Sequence, residues 1–137
     1  MILSPDLRFH HVGLACRRLE VEKRAHELLG YTVEGEPFSD PIQKVDGLFM
    51  VHGPMRVELL APASEDSPIQ DYLRRGIRLY HEAFETPDLR ASIAALEAGG
   101  ARLVTSPVTA VAFGGREIAF LMLRSMSLVE LIQSETT

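Results

Sequence analysis

The first half of the chain alternates apolar and polar positions in a way that predicts one helix among several strands. Residues 19–29 carry apolar side chains at the spacing of one helix face, namely Val21, Ala25, Leu28 and Leu29. Gly30 suits the position just after that helix. Two prolines mark a loop at 36–41, and a tight turn is predicted at 52–54. The predicted strands are residues 9–16, 31–35, 43–51 and 55–60. The first half therefore has the order βαβββ.

The second half repeats this order, with one additional short strand segment after its helix. A helix is predicted from Pro87, because a proline ring fits the first turn of a helix, and Gly99 with Gly100 ends it. Its apolar face consists of Leu89, Ile93 and Leu96. The strands around it are residues 79–85, 102–104, 108–113, 116–123 and 128–133, with a break at Ser106 and Pro107. Between the halves, Ser67 and Pro68 favour the start of a short helix that Gly76 ends.

The two repeats suit one compact domain, because 137 residues are too few for two independent domains. We therefore predict a single α+β domain over residues 8–137, built from two tandem βαβββ modules. The modules span residues 8–62 and 77–134, and the connecting helix spans residues 66–76.

Composition and charge narrow the function classes. Hydrophobic residues make up 46% and charged residues 24% of the chain, which is typical of a soluble globular protein. A formal charge of −5 argues against non-specific nucleic-acid binding, and no apolar run approaches the ~20 residues of a membrane span. Residues 1–8 lack the pattern of a secretory signal. Cys16 is the only cysteine and is interpreted as a packed thiol, so a reducing, cytoplasmic location is expected.

The candidate chemistry lies in a repeated histidine–glutamate pattern. The segments Val57-Glu58-Leu59-Leu60 and Val129-Glu130-Leu131-Ile132 are near-copies. Glu58 follows His11 by 47 residues, and Glu130 follows His81 by 49 residues. Each glutamate lies between apolar neighbours on its own strand face, where an isolated charge is costly. Two imidazoles and two carboxylates form a suitable ligand set for one divalent metal ion.

Simpler interpretations exist for each residue taken alone. A strand histidine is usually a core or surface residue, and a glutamate between apolar residues is usually solvated. His10 is the rival to His11, but it lies on the opposite strand face, and Tyr80 occupies the equivalent place in the second half. His26 is predicted on a helix surface and His52 at a solvent-facing turn. The repeat of all four residues favours the shared metal site.

These motifs resemble the vicinal oxygen chelate superfamily, which includes glyoxalase I, methylmalonyl-CoA epimerase, extradiol dioxygenases, and the fosfomycin and bleomycin resistance proteins. The resemblance covers residues 9–133 and is closest to the methylmalonyl-CoA epimerases. The similar segments are 11–15, 58–62 followed by 66–69 and 72–73, and 128–133. The resemblance implies a glyoxalase-like fold, in which paired βαβββ modules make an open, cup-shaped mixed sheet around the metal. It also implies that the ligands are His11, Glu58, His81 and Glu130.

The expected function is that of a metal-dependent isomerase or epimerase, which moves a proton next to a carbonyl through a metal-stabilised enolate. By resemblance Glu130 serves as a base, and Asp46 is the candidate for the second acid. The ion could be nickel, cobalt, manganese, zinc or iron, and no organic cofactor is expected. The substrate would offer two adjacent chelating oxygens, as some acyl-CoA thioesters do, and the resemblance implies a homodimer. The alternatives are a glyoxalase I-like lyase and a non-catalytic protein that binds a small molecule such as an antibiotic.

Overall fold

The computed structural model describes residues 5–135, which form eight strands and three α-helices. The expectation about a secretory signal at residues 1–8 lies partly outside this range. The predicted end of the domain at residue 137 lies outside it as well. The strands are β1 (Arg8–Ala15), β2 (Thr32–Asp40), β3 (Val45–His52), β4 (Met55–Pro62), β5 (Leu79–Thr86), β6 (Arg102–Thr109), β7 (Glu117–Met122) and β8 (Leu128–Gln133). The α-helices are α1 (Leu19–Leu28), α2 (Ile69–Arg74) and α3 (Leu89–Ala98).

The strands make an open mixed sheet in the order β2-β3-β4-β1-β5-β8-β7-β6. The element order is βαβββ in each half, so the predicted α+β fold of two such modules is confirmed. The chain divides into two compact units, one of residues 11–80 and the other of the residues up to His10 together with those from His81 onward. No helix among residues 5–135 has both the length and the apolar character that a membrane span requires.

In the unit of residues 11–80, β4 runs parallel to β1, and β3 and β2 follow in antiparallel order. One face of these strands carries a buried apolar core, against which Leu14, Leu19 and Tyr31 also pack. The members of this core are Cys16, Leu48, Met50, Val57, Leu59 and Ala61. The interpretation of Cys16 as a packed thiol is therefore confirmed.

Helix α1 forms where it was predicted, but it buries a different side. Leu28 is 90% exposed, and Val21 and Leu29 are exposed as well. Leu19 packs against the core and His26 is only 8% exposed, and these two residues are seven positions apart on one helix face. The prediction that His26 lies on the surface is wrong. Burial is tolerated because its Nδ1 lies 3.0 Å from the carbonyl oxygen of Glu22, and its ring contacts Tyr31 edge-to-face.

Strands β2 and β6 continue through prolines where breaks were predicted. Both lie at the edges of the sheet, where a missing backbone N–H is tolerated. The loop prediction at 36–41 is wrong because β2 continues to Asp40, with a bulge between Glu34 and Phe38 that absorbs Pro37. The break predicted at Ser106 and Pro107 is likewise wrong, because β6 shifts its register there and continues to Thr109.

The other unit has the same strand arrangement, with β8 parallel to β5 and antiparallel to β7, which pairs with β6. Asp88 is the N-cap of helix α3, and its side chain accepts a hydrogen bond of 3.1 Å from the backbone N–H of Ala91. Helix and strands share a buried apolar core of Leu89, Ile93, Ala119, Leu121, Val129 and Leu131.

Candidate metal centre

The first histidine–glutamate pair is built by two parallel strands. Gly13 of β1 lies beside Glu58 of β4, and His11 is two residues before Gly13 on the same strand face. The Nε2 atom of His11 lies 3.0 Å from Oε1 of Glu58, and the two side chains are 0% and 5% exposed. The strand register therefore holds an imidazole and a carboxylate together in a dry environment.

The second pair has the same construction. Ala83 of β5 lies beside Glu130 of β8, and His81 is two residues before Ala83. The Nε2 atom of His81 lies 3.2 Å from Oε1 of Glu130, and both side chains are buried. The matching sequence intervals thus reflect one strand register used twice.

Each pair also includes a phenylalanine that the sequence analysis did not identify. Phe49 of β3 is the antiparallel neighbour of Glu58, and its ring meets the His11 ring edge-to-face at 5.2 Å. Phe120 of β7 is the neighbour of Glu130, and its ring meets the His81 ring at 5.3 Å in the same manner. A usable signal existed, since each phenylalanine precedes its glutamate by nearly the same number of residues, nine and ten.

One ligand atom from each of the four residues lies within 4.8 Å of the other three. The residues are His11, Glu58, His81 and Glu130. Atoms bound to one ion at about 2.1 Å lie at most about 4.2 Å apart, so small side-chain movements would bring all four into range. Two imidazole nitrogens and two carboxylate oxygens are also ligands that divalent transition metals accept. This buried cluster could therefore hold a metal ion.

Asp46 does not join this cluster. Phe49 faces the same side of the sheet as Glu58, and Asp46 lies three residues earlier on β3, which turns it to the opposite face. It pairs with Ala61, a member of the apolar core, and its carboxylate accepts a hydrogen bond from Ser39 Oγ. The strand register therefore places Asp46, the candidate for the second acid, on the face opposite to Glu58.

An arginine–carboxylate ion pair lies near each histidine–glutamate pair. Arg56, two residues before Glu58 on the same face of β4, makes contacts of 2.8 and 3.1 Å with the two carboxylate oxygens of Glu34. In the other unit, Arg116 donates to Glu85 at 3.0 Å and to the carbonyl oxygen of Gln133. Both arginines are thus held by acidic partners within the protein.

Comparison with known proteins identifies related sequences over most of the chain. The model of the Glyoxalase/Bleomycin resistance protein/Dioxygenase superfamily matches residues 10–120. The ethylmalonyl-CoA/methylmalonyl-CoA epimerase of Cereibacter sphaeroides is 30% identical over 131 residues, covering 92% of this chain and 97% of that protein. The mitochondrial methylmalonyl-CoA epimerase of Dictyostelium discoideum is 26% identical over 132 residues, covering 90% of this chain and 76% of that protein.

The same fold occurs in a solved structure. The crystal structure of methylmalonyl-CoA epimerase from Mycobacterium tuberculosis superposes with a TM-score of 0.82 at 24% identity, covering 99% of this chain and 94% of that one. The resemblance inferred from the sequence is confirmed, and the chain belongs to the Glyoxalase/Bleomycin resistance protein/Dioxygenase superfamily.

Proposed function

We propose that this protein is a divalent-metal-dependent epimerase that moves the proton next to the thioester carbonyl of a short-chain acyl-CoA. The observation that carries this proposal is the histidine–glutamate–phenylalanine arrangement, which occurs twice in the same register. Similarity to two proteins named as methylmalonyl-CoA epimerases supports the reaction type and the acyl-CoA class.

The ligands in this proposal are His11, Glu58, His81 and Glu130. When bound, the ion would act as a Lewis acid toward the substrate oxygens and so favour loss of the neighbouring proton. The rings of Phe49 and Phe120 pack against the two imidazoles and limit the access of water to them. Exclusion of water strengthens electrostatic interactions at such a centre.

Epimerisation requires that one group remove the proton and another deliver it to the opposite side of the planar intermediate. We assign proton removal to Glu130. The register of β3 does not support Asp46 as the second group, and Glu58 is the other carboxylate of the cluster. We therefore propose Glu58, the repeat-related counterpart of Glu130, for the second transfer.

The proposal is tested by solvent deuterium incorporation into methylmalonyl-CoA, together with elemental analysis of the purified protein. Wild-type protein should hold about one divalent ion per chain and exchange the proton. At a metal concentration that loads the variant, Glu130→Gln should lower the exchange rate by at least about 100-fold, because the amide cannot accept the proton. Asp46→Asn is the matched control and should exchange like wild type.

Other outcomes would contradict the proposal. Loss of exchange in Asp46→Asn would return the second transfer to that residue. Turnover of a hemithioacetal without exchange of the thioester would identify a glyoxalase-like lyase. A metal-free protein that binds a small molecule without turnover would support the non-catalytic alternative.

The assembly, the location and the domain limits remain predictions. We propose a homodimer in the cytoplasm with one domain over residues 8–137, on the basis of the resemblance and the single cysteine. Light scattering would give the mass of the purified protein in solution. The mass of a monomer would contradict the proposed homodimer.

A further inference from the structure

We propose that Phe38 and Phe49 form an apolar wall that receives the alkyl substituent of the substrate, and that Phe38 limits the size of that substituent. This inference rests on the proposed function, because it names the part of an acyl-CoA that the wall would contact.

Phe49 connects the wall to the candidate metal ligands. It is the strand neighbour of Glu58, and its ring lies against the His11 ring. Phe49 is only half-buried, whereas its repeat-related counterpart Phe120 is buried. The wall therefore presents apolar surface directly beside the His11–Glu58 pair.

Phe38 extends this surface across a gap that a glycine provides. Gly47 is the strand neighbour of Phe38, and a Cβ atom at Gly47 would lie 2.2 Å from Cζ of the Phe38 ring. The ring thus occupies the space that a side chain at position 47 would fill. It lies 5.9 Å from the Phe49 ring at an angle of 34°, so the two rings form one continuous surface. In the other repeat, Ile118 carries its own side chain at the position of Gly47.

The chemistry of this face is uniformly non-ionisable along β3. The residues that share the face of Phe49 are Val45, Gly47 and Val51. Glu34 of β2 and Arg56 of β4 face the same side, but they bind each other, so the apolar part of this face is the surface of the two rings. An alkyl group would be buried favourably against the rings, whereas a polar group would lose hydration there. In such pockets one methylene changes kcat/KM by roughly 10–200-fold, so the Phe38 ring is able to select among substituents that differ by one carbon.

The experiment compares CoA thioesters of malonic acid that carry a methyl, ethyl or propyl group at the central carbon. Phe38→Ala should raise the propyl-to-methyl ratio of kcat/KM for deuterium incorporation by about tenfold or more, because it removes the ring that limits the pocket. Gly47→Ala should lower the same ratio, because the new Cβ would push the ring away from the strand and toward the substrate. Val33→Ala is the matched control, since Val33 lies on β2 but faces the other side of the sheet.

Calorimetric titration of the same thioesters provides a second readout that is independent of turnover. Phe38→Ala should tighten binding of the propyl compound relative to the methyl compound. Equal ratios in Phe38→Ala and Val33→Ala, in both measurements, would overturn the inference. A wild-type protein that exchanges none of the thioesters would instead contradict the proposed function, and the binding ratios alone would then decide the role of Phe38.

Discussion

At the scale of single residues, burial of ionisable groups is the feature that connects stability with function. An imidazole or a carboxylate loses its hydration in a sheet core, and this cost is offset only by a close partner. Each histidine finds that partner in the glutamate of the neighbouring parallel strand, at 3.0 and 3.2 Å. The imidazole and carboxylate groups of each pair are therefore already ordered before a metal ion binds, which reduces the entropy cost of binding.

Glu58 and Glu130 occupy repeat-related positions, so we expect equivalent effects on metal affinity. Glu58→Gln keeps the shape and one oxygen donor but removes the negative charge, and it should weaken metal binding by at least about tenfold. Glu130→Gln should weaken it by a similar factor. Calorimetric titration with a divalent ion measures both constants, and Asp46→Asn serves as the control. If only one glutamate affects the affinity, the four-ligand set is wrong.

Cys16 predicts a pH effect on stability that does not depend on the candidate metal centre. Burial, with a smaller contribution from nearby Glu22, raises the pKa of the Cys16 thiol from 9.0 to about 11. As the pH rises from about 9 to 11, the thiol ionises first in the unfolded chain, so the free energy of unfolding should fall. The part of the unfolding free energy that is lost over this interval is fully present below pH 9, and it amounts to roughly 2–3 kcal/mol.

Urea unfolding of wild-type protein and Cys16→Ala at pH 8 and at pH 10.5 measures this effect. Other groups titrate in the same range, so the relevant quantity is the difference between the two proteins. The wild type should lose more stability than the variant over this interval. An identical loss of stability in both proteins would show that folding does not raise the pKa of the Cys16 thiol.

At the scale of secondary-structure elements, periodicity predicted which elements form but not which sides they bury. The spacing of Val21, Leu28 and Leu29 located α1, yet the helix packs through Leu19 and His26. The spacing of apolar residues could not predict that His26 would be buried, because its burial depends on a hydrogen-bonding contact with the backbone carbonyl oxygen of Glu22. The continuation of β2 through Pro37 was missed for a related reason. Proline is disfavoured in central strands but tolerated in edge strands, and the sequence does not show that β2 is an edge strand, because this depends on the strand order of the whole sheet.

Asp88 provides a test of an element boundary. Its side chain caps α3 by accepting the N–H of Ala91, and Asp88→Ala leaves that donor without its acceptor. The variant should lose about 1 kcal/mol of unfolding free energy, as is usual for removal of a side-chain cap. Denaturant unfolding measures the loss, and Asp88→Asn, which keeps a capping oxygen, should stay close to wild type. A loss of the same size in Asp88→Asn would point to its charge rather than to the cap.

At the scale of the whole molecule, internal repetition made the candidate ligands predictable. Histidine and glutamate recur at matching intervals because the same parallel register is used twice. The phenylalanine partners were missed because an aromatic residue in a strand has many packing roles. Asp46 was selected as the candidate for the second acid by its place in β3, and its face follows only from the register with β4, which turns it away from Phe49 and Glu58.

The metal proposal also predicts a property of the folded protein as a whole. An ion that binds the native state but not the unfolded chain should stabilise the protein by about 2.7 kcal/mol at 100 times its dissociation constant. Removal of the ion with a chelator should abolish this increment. Lowering the pH should reduce it, because protons compete with the metal for imidazole and carboxylate groups.

Substitution of the histidines tests whether all four residues bind a single ion. His11→Ala and His81→Ala should each remove most of the metal-dependent increment, and the double variant should lose no more than either alone. Thermal unfolding with and without a chelator measures the increment, and His52→Ala is the control because His52 is exposed at its hairpin turn. Retention of half of the increment in each single variant would instead indicate two independent sites, one for each histidine–glutamate pair.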